Sequence, residues 1–226
     1  MKRVGVPIPD WLHRSLSALR PRRGRIVDLS GDRDIEWSWV AARIGRGPGA
    51  AIDFGNGGSA LGLIAAERGF EVTAVDLEAV SWPYEHPRLR LAQGDILNLP
   101  LPERHFDVIL NCSAIEHVGL PGRYGVATER RDGDLEAMAR MGALMKPGGT
   151  MLLTVPIGRD AVFPPLHRVY GAERLPRLLD GFRVASQDFW MKRADNRWVP
   201  AAEAQALAFA PRERLYALGA FVLERP

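Results

Sequence analysis

The chain has 226 residues, of which 46% are hydrophobic, and this size and composition predict one domain with one substantial core. Its 30 Lys and Arg residues exceed its 27 Asp and Glu residues by only three, which argues against a nucleic-acid-binding surface. The single cysteine, Cys112, excludes an intrachain disulfide and a cysteine-rich metal site. No apolar run approaches the roughly 18 to 20 residues of a membrane span, so we expect a cytoplasmic protein.

The first part of the chain is expected to be a helical extension, residues 1–47, packed on a main domain of residues 48–226. Apolar residues between Trp11 and Leu19 predict a first helix. A second helix is predicted within residues 28–44, where apolar residues recur at helical spacing before two glycines.

Short apolar runs and helical patterns alternate in the rest of the chain, which is typical of an α/β protein. Strands are predicted at about 50–54, 71–75, 89–92, 107–111, 150–155, 182–189 and 215–224. Helices are predicted at about 59–68, 78–82, 133–145 and 171–179. Several strands are nearly all apolar, as expected when helices cover both faces of a sheet. The pattern therefore predicts a Rossmann-like, doubly wound and mostly parallel sheet.

A glycine-rich turn, Asp53-Phe54-Gly55-Asn56-Gly57-Gly58, follows the first predicted strand of the sheet. Its small side chains let backbone N–H groups face a ligand at the start of the next helix. A tight strand-to-helix turn also needs glycine for steric reasons, so the turn alone does not identify a ligand.

An acidic residue, Asp76, ends the next strand 21 residues after Gly55, where a carboxylate can accept hydrogen bonds from both hydroxyls of a ribose. The pair predicts a cofactor that contains a nucleoside. The glycine spacing, with Ala60 at its sixth position, leaves NAD open. Asp53 favours S-adenosylmethionine instead, because a carboxylate suits its cationic groups better than a pyrophosphate.

Four motifs in residues 48–155 resemble the class I S-adenosylmethionine-dependent methyltransferases. They are DFGNG, VDLEA, QGDILNLPLPERHFDVILNCSAIEHV and LMKPGGTMLLTVP. Ser59 departs from the family pattern, which usually has a third glycine there, but a serine hydroxyl can cap the following helix. The resemblance implies a seven-stranded sheet with an antiparallel last strand, S-adenosylmethionine as cofactor and S-adenosylhomocysteine as product.

The resemblance also implies ten cofactor-binding positions. Asp53, Gly55 and Gly57 are assigned to the methionine portion, Asp76 to the ribose, and Asp95 and Ile96 to the adenine, with Asn56, Leu77, Asn111 and Ser113 beside them. Asp95 has an alternative role as the cap of a turn. Glu36 and Trp37 are further candidates for the amino-acid end of the cofactor, although core packing explains Trp37 equally well.

Candidate catalytic residues follow the fourth predicted strand, because ligands bind beyond the carboxyl ends of parallel strands. Methyl transfer to oxygen gains from a base that removes the hydroxyl proton, and Glu116 and His117 are suited to this role. His167, after the fifth strand, competes with them. A structural hydrogen bond is the alternative explanation for either histidine.

A narrower resemblance covers about residues 95–185 and points to poorly characterised bacterial methyltransferase-like proteins of cell-surface polysaccharide biosynthesis. It implies a saccharide acceptor, for which the substrate-binding candidates are Arg123, Tyr124, Arg168 and Tyr170. Asp132 and Asp134 are simpler to explain as helix-start residues than as metal ligands, and no metal is predicted.

We therefore predict an S-adenosylmethionine-dependent O-methyltransferase acting on a saccharide or another small hydroxylated metabolite. The alternatives are an N-methyltransferase of a small molecule, a non-catalytic S-adenosylmethionine-binding module and an NAD-dependent oxidoreductase. The sequence leaves the acceptor, the choice among the three candidate bases and the oligomeric state open.

Overall fold

A computed structural model describes residues 26–122 and 124–226. The helix expected between Trp11 and Leu19 and the substrate-binding candidate Arg123 lie outside these residues. The strands are β1 (Gly49–Phe54), β2 (Phe70–Asp76), β3 (Leu89–Gln93), β4 (Phe106–Cys112), β5 (Met145–Ile157), β6 (Ala161–Phe163), β7 (His167–Val169), β8 (Arg183–Lys192), β9 (Trp198–Pro200) and β10 (Ala217–Glu224). The α-helices are α1 (Asp32–Arg43), α2 (Leu61–Glu67), α3 (Gly133–Leu144), α4 (Arg174–Leu178) and α5 (Glu203–Leu207), and a 3₁₀ turn spans Ile115–His117.

The main sheet has the strand order β3-β2-β1-β4-β5-β10-β8-β9. The first five of these strands pair in parallel, and β10 is antiparallel to both β5 and β8. This confirms the predicted mostly parallel α/β sheet with an antiparallel last strand. The strand count differs from the expected seven, because the short strand β9 adds an eighth at the edge of β8.

Two local predictions were incomplete or wrong. The segment 78–82 is not helical; Pro83 follows it directly and disfavours the α conformation at Trp82. The β6–β7 hairpin was not expected, and it forms a separate two-stranded sheet close to the end of β5.

Helices cover both faces of the sheet, and alternate side chains of a strand pack against the two helical layers. On β4, Ile109 packs with the α3 layer and Leu110 with the α1 and α2 layer; both side chains are fully buried. Burying each such side chain stabilises the fold by about 1.5–3 kcal/mol. Helix α1, from the expected extension, lies on the sheet through Trp39 and Val40. The domain boundary at residue 47 stays a prediction.

The described part of the chain, residues 26–122 and 124–226, has no helix with the length and apolar character needed to cross a membrane.

Candidate cofactor and acceptor site

A cavity of about 430 Å³ opens where β1, β2 and β4 end, and this volume lies within the usual range for small-ligand sites. Its wall comprises four residues of the glycine turn (Phe54, Gly55, Gly57 and Gly58), residues 75–81, 94–97, 113–114 and 117–119, together with Tyr124, Val126 and Arg130. The carboxyl edge of the parallel strands is where open α/β sheets bind ligands. The cavity is therefore the candidate functional site.

The glycine turn has a backbone conformation that favours glycine at two positions. Gly55 has φ +63° and Gly57 has φ +46°, both in the left-handed region. A Cβ atom on Gly55 would also clash with the Cβ atom of Ala114. Both conditions keep side-chain bulk out of the cavity at the point where the turn passes the end of β4.

Asp76 lines the cavity at the end of β2, as the ribose assignment requires. Its Oδ2 atom accepts a hydrogen bond from the Gly57 N–H group (3.0 Å), and its Oδ1 atom accepts one from the Glu78 N–H group (3.0 Å). Each carboxylate oxygen has a second lone pair, so both can also accept a hydroxyl hydrogen bond. Asp76 therefore connects the two cofactor motifs and remains suited to a ribose.

Asp53 lies behind the turn rather than in the wall of the cavity. Side chains alternate along β1, so Ile52 and Phe54 face the α3 layer while Asp53 points towards α2. Its Oδ2 atom accepts a hydrogen bond from the Gly62 N–H group (2.9 Å). Burial raises the pKa of Asp53 to about 7; the Gly62 hydrogen bond lowers it and the charge of Asp76 raises it. Asp53 therefore supports the first turn of α2, and its expected contact with the methionine portion stays a prediction.

The adenine candidates Asp95 and Ile96 both line the cavity. Asp95 also caps a turn, because its carboxylate accepts hydrogen bonds from the Leu97 N–H group (3.0 Å) and the Asn98 amide (3.3 Å). The two explanations of Asp95 are therefore compatible. Ile96 is buried and contributes apolar surface, and Leu77 lines the wall beside Asp76.

Two predicted cofactor residues are not brought to the cavity. Asn56 is buried in the turn, where its side-chain amide donates to the Gly57 carbonyl (3.4 Å). Asn111 points from β4 into the α3 layer, and its amide lies 3.8 Å and 3.9 Å from the sulfur atoms of Met138 and Met141. For Asn111 the cause is strand alternation, since it shares the face of Ile109.

Ser113 lines the cavity directly after β4 and has the unusual φ of +46° for a residue with a side chain. Its N–H group donates to the carbonyl (3.0 Å) and hydroxyl (3.1 Å) oxygens of Thr154, and its hydroxyl donates to the buried carboxylate of Glu36. Burial raises the pKa of Glu36, and the neighbouring Arg33 (2.9 Å) lowers it. Helix α1 thus contacts the site through Glu36, whereas Trp37 is 42% exposed and lies outside the cavity wall.

His117, in the 3₁₀ turn, is the catalytic candidate that reaches the cavity. Its Nδ1 atom lies 2.5 Å from the Leu166 carbonyl oxygen. Because a carbonyl only accepts, the hydrogen of the neutral ring must lie on Nδ1, which leaves Nε2 as the basic nitrogen. Nε2 lies 3.7 Å from Oε1 of Glu116, and the ring makes an edge contact with Tyr124 at 5.6 Å between centroids. Glu116 itself is buried outside the cavity wall.

Three further candidates lie beneath the cavity instead of in its wall. His167 packs between the rings of Phe163 (5.6 Å) and Tyr216 (5.1 Å). Arg168 is 2% exposed and donates to backbone carbonyls, and the Tyr170 hydroxyl donates to Asp134 (3.1 Å). The hairpin carries these side chains inward because Tyr170 forms a bridge to the end of β5. Their placement therefore does not support a direct role of His167 as the base, or of Arg168 and Tyr170 in substrate binding.

The cavity wall also includes residues that were not predicted from the sequence, among them Gly119, Val126 and Arg130. Arg130 is half-exposed and pairs with Glu136 (2.6 Å). Arg130 lies in the loop before α3. Its chain position after the fourth strand was the only feature of the sequence that could have indicated a place in the cavity wall.

The carboxylates considered as metal ligands already have cationic partners. Asp134 is fully buried and binds Arg174 at 2.5 and 2.9 Å, and Asp132 lies 3.3 Å from the same guanidinium. Residues 26–122 and 124–226 contain no group of three or more His, Cys, Asp or Glu side chains arranged to hold a metal ion.

Known proteins are similar to this chain over different lengths. A family described as Caenorhabditis protein of unknown function, DUF268, matches residues 98–196. A probable S-adenosylmethionine-dependent methyltransferase of Mycolicibacterium smegmatis is 29% identical over 44% of this chain, but the match spans only 37% of that relative. A ubiquinone biosynthesis O-methyltransferase of Xanthomonas campestris is 28% identical over 76% of this chain and 69% of its own length.

The fold has solved counterparts. The 1,6-didemethyltoxoflavin-N1-methyltransferase of Burkholderia thailandensis, solved with bound 1,6-didemethyltoxoflavin and S-adenosylhomocysteine, superposes with a TM-score of 0.59 at 21% identity. The alignment covers 99% of this chain and 94% of that chain. This chain therefore has the fold of S-adenosylmethionine-dependent methyltransferases, as its motifs predicted.

Proposed function

We propose that this chain transfers the methyl group of S-adenosylmethionine to a hydroxyl of a small acceptor, with His117 as the general base. One observation carries the proposal: the glycine turn, Asp76 and His117 all line the same cavity. The similarity to the probable S-adenosylmethionine-dependent methyltransferase of Mycolicibacterium smegmatis supports the cofactor, and the similarity to the ubiquinone biosynthesis O-methyltransferase of Xanthomonas campestris supports transfer to oxygen.

The residues present fit the cofactor. Backbone groups of Gly55 and Gly57 would accommodate the methionine portion, Asp76 would accept the ribose hydroxyls, and Ile96 would contact the adenine. The bound cofactor supplies an electrophilic methyl group on a positively charged sulfur. The acidic side chains of Asp76 and Asp95 in the wall favour a cationic ligand. This charge pattern would be unfavourable for the pyrophosphate of NAD.

His117 would remove the proton of the acceptor hydroxyl at Nε2. Its hydrogen bond to Leu166 fixes the tautomer that leaves this nitrogen basic. The carboxylate of Glu116, at 3.7 Å, would stabilise the imidazolium formed when the proton is taken up. Glu116 is thus assigned a supporting role, while His167 does not line the cavity.

The acceptor would lie against Tyr124, Val126 and Arg130. This wall offers an aromatic ring, apolar surface and one cation, so it suits a small hydroxylated acceptor with a polar or anionic substituent. A saccharide remains the proposed class on the resemblance of residues 95–185 alone. N-methylation is the second candidate, because the Burkholderia enzyme with the same fold is named an N1-methyltransferase.

The decisive experiment measures binding first and turnover second. Calorimetry with S-adenosylmethionine, S-adenosylhomocysteine and NAD should show binding of the first two only. Release of S-adenosylhomocysteine is then followed with nucleotide sugars, phenols and amines as acceptors. Absence of binding to both adenosyl ligands would contradict the proposed cofactor, and turnover with amines alone would favour N-methylation. Binding without turnover on any acceptor would favour the non-catalytic module.

A further inference from the structure

We propose that Arg168 is a positioning residue that, together with the carbonyl of Leu166, holds His117 in its orientation at the cavity. The inference rests on the proposed function, because it concerns the residue assigned there as the base. It also replaces the substrate-binding role expected for Arg168 by one that acts through the backbone.

The guanidinium of Arg168 connects two separate segments of the cavity wall. Its Nη1 atom donates to the carbonyls of Val118 (2.6 Å) and Glu116 (3.4 Å), the two residues that flank His117. Its Nη2 atom donates to the carbonyls of Arg130 and Arg131, each at 3.3 Å. One planar group therefore fixes the 3₁₀ turn that carries His117 to the segment that carries Arg130.

The same stretch of chain also holds the His117 side chain. The carbonyl of Leu166, two residues before Arg168, accepts the hydrogen bond from Nδ1 of His117 (2.5 Å). Arg168 thus restrains the backbone on both sides of His117, while Leu166 restrains the ring. A hydrogen-bonded ring in a fixed tautomer is what a base requires in order to meet an acceptor hydroxyl reproducibly.

The burial of Arg168 indicates that this arrangement is built into the fold. The side chain is 2% exposed, and a buried guanidinium is costly unless its N–H groups are bonded and its charge is balanced. Asp134, fully buried at 3.8 Å from Nε, supplies the opposite charge. Since Asp134 also pairs with Arg174, the ion pair with Arg168 is not the only interaction that holds this carboxylate.

The test compares two variants of the full chain. Arg168→Lys keeps a positive charge near Asp134, but an ammonium lacks the planar fork that joins the two segments. Arg174→Lys is the matched control: Arg174 donates to the same carboxylate and to the Arg131 carbonyl (2.8 Å), and its place is beside α3 rather than at the 3₁₀ turn. For each protein we would measure kcat, KM, the Kd of S-adenosylhomocysteine and the tautomer of His117 by nitrogen-15 NMR. The His117 signals are assigned by their loss in His117→Gln.

We expect Arg168→Lys to lower kcat about ten- to a hundredfold and to mix the His117 tautomers, because small displacements of a reacting group are costly. The Kd of S-adenosylhomocysteine should change less than about twofold, since the cofactor candidates lie on other segments. Arg174→Lys should keep the wild-type kcat and tautomer. Wild-type kcat and tautomer in Arg168→Lys, or equal losses in both variants, would overturn the positioning role.

Two further outcomes separate this inference from the proposed function. Full turnover in His117→Gln would remove His117 as the base, whereas the NMR comparison would still decide whether Arg168 orients the ring. Should Arg168→Lys fail to fold, the unmodified protein decides: hydrogen on Nδ1 of His117 supports the proposal, and hydrogen on Nε2 overturns it.

Discussion

The N–H group of Gly57 donates a hydrogen bond of 3.0 Å to Oδ2 of Asp76, and this bond joins the turn after β1 to the end of β2. A single carboxylate therefore holds the turn that would face the methionine portion and, under the proposed function, would also bind the ribose. Loss of this carboxylate should consequently affect both ends of the candidate cofactor site.

Replacement of Asp76 tests this double role. We expect Asp76→Ala to weaken S-adenosylhomocysteine binding by on the order of 1 to 3 kcal/mol, the cost of leaving polar groups unpaired. Asp76→Asn should lose less, because its side-chain oxygen can still accept from Gly57. Titration calorimetry gives the affinities, and Glu67→Gln, at an exposed position on α2, is the control. Equal affinity in Asp76→Ala and the wild type would contradict the ribose assignment.

Replacement of His117 tests the base. In His117→Gln, kcat should fall about a hundredfold or more while the affinity for S-adenosylhomocysteine is kept, because only the proton transfer is removed. His105→Gln is the matched control, since His105 is exposed at the opposite end of β4 and contacts Phe106. Unchanged turnover in His117→Gln would remove His117 as the base.

Gly55 offers a test of the turn itself. Gly55→Ala should destabilise the protein by about 1–3 kcal/mol, because alanine is unfavourable in the left-handed region and its Cβ atom meets Ala114. The double variant Gly55→Ala, Ala114→Gly relieves the contact but not the backbone strain, so it should recover only part of the loss. Urea denaturation measures both. Gly45→Ala, with open space around the added carbon, should stay close to the wild type. Full recovery in the double variant would show that backbone strain is negligible.

The raised pKa of Asp53 predicts a pH dependence of stability. Its folded-state pKa is about 7 against an ordinary value of 3.8, so between these values the folded protein binds the proton more tightly than the unfolded chain. The stability that protonated Asp53 contributes is complete below pH 3.8 and is lost as the pH rises through 7. The free energy of unfolding should fall by at most about 1.4 kcal/mol per pH unit, the limit for one titrating group.

The pH dependence is measured as the free energy of unfolding in urea from about pH 5 to about pH 9, a range that brackets the folded-state pKa of Asp53. In Asp53→Asn the decrease of the free energy of unfolding with rising pH should disappear, because an amide does not titrate. The amide oxygen can still accept the hydrogen bond from the Gly62 N–H group. Parallel curves for the wild type and Asp53→Asn would contradict the raised pKa.

Much of the fold was predictable because its signals are local. The apolar runs of β2, β4 and β5 and the glycine turn need only neighbouring residues to be recognised, and the strand order follows from the class that they resemble. The segment 78–82 was predicted as a helix, and β9 with the β6–β7 hairpin was missed, because short elements owe their form to contacts with distant parts of the chain.

The candidate site was also predictable from the sequence only in part. Asp76, Asp95 and His117 follow strand ends, and parallel strands bring such positions to one edge, so their place in the cavity could be expected. Asn111 and Asp53 do not line the cavity, because side chains within a strand alternate and a shift of one residue changes the layer that they face. Arg130 was missed, since nothing in a loop sequence shows which of its residues meets a cavity.

The sequence by itself determined the class of the sheet, the glycine turn after β1 and the acidic residue Asp76 at the end of β2. Each of these depends on residues close in the chain or on a fixed strand order. Only the tertiary structure decided that Arg168 lies beneath the cavity, that Leu166 contacts His117, and that Glu36 meets Ser113. These partners are separated by roughly 50 to 80 residues, and their contacts exist only after both faces of the sheet have packed.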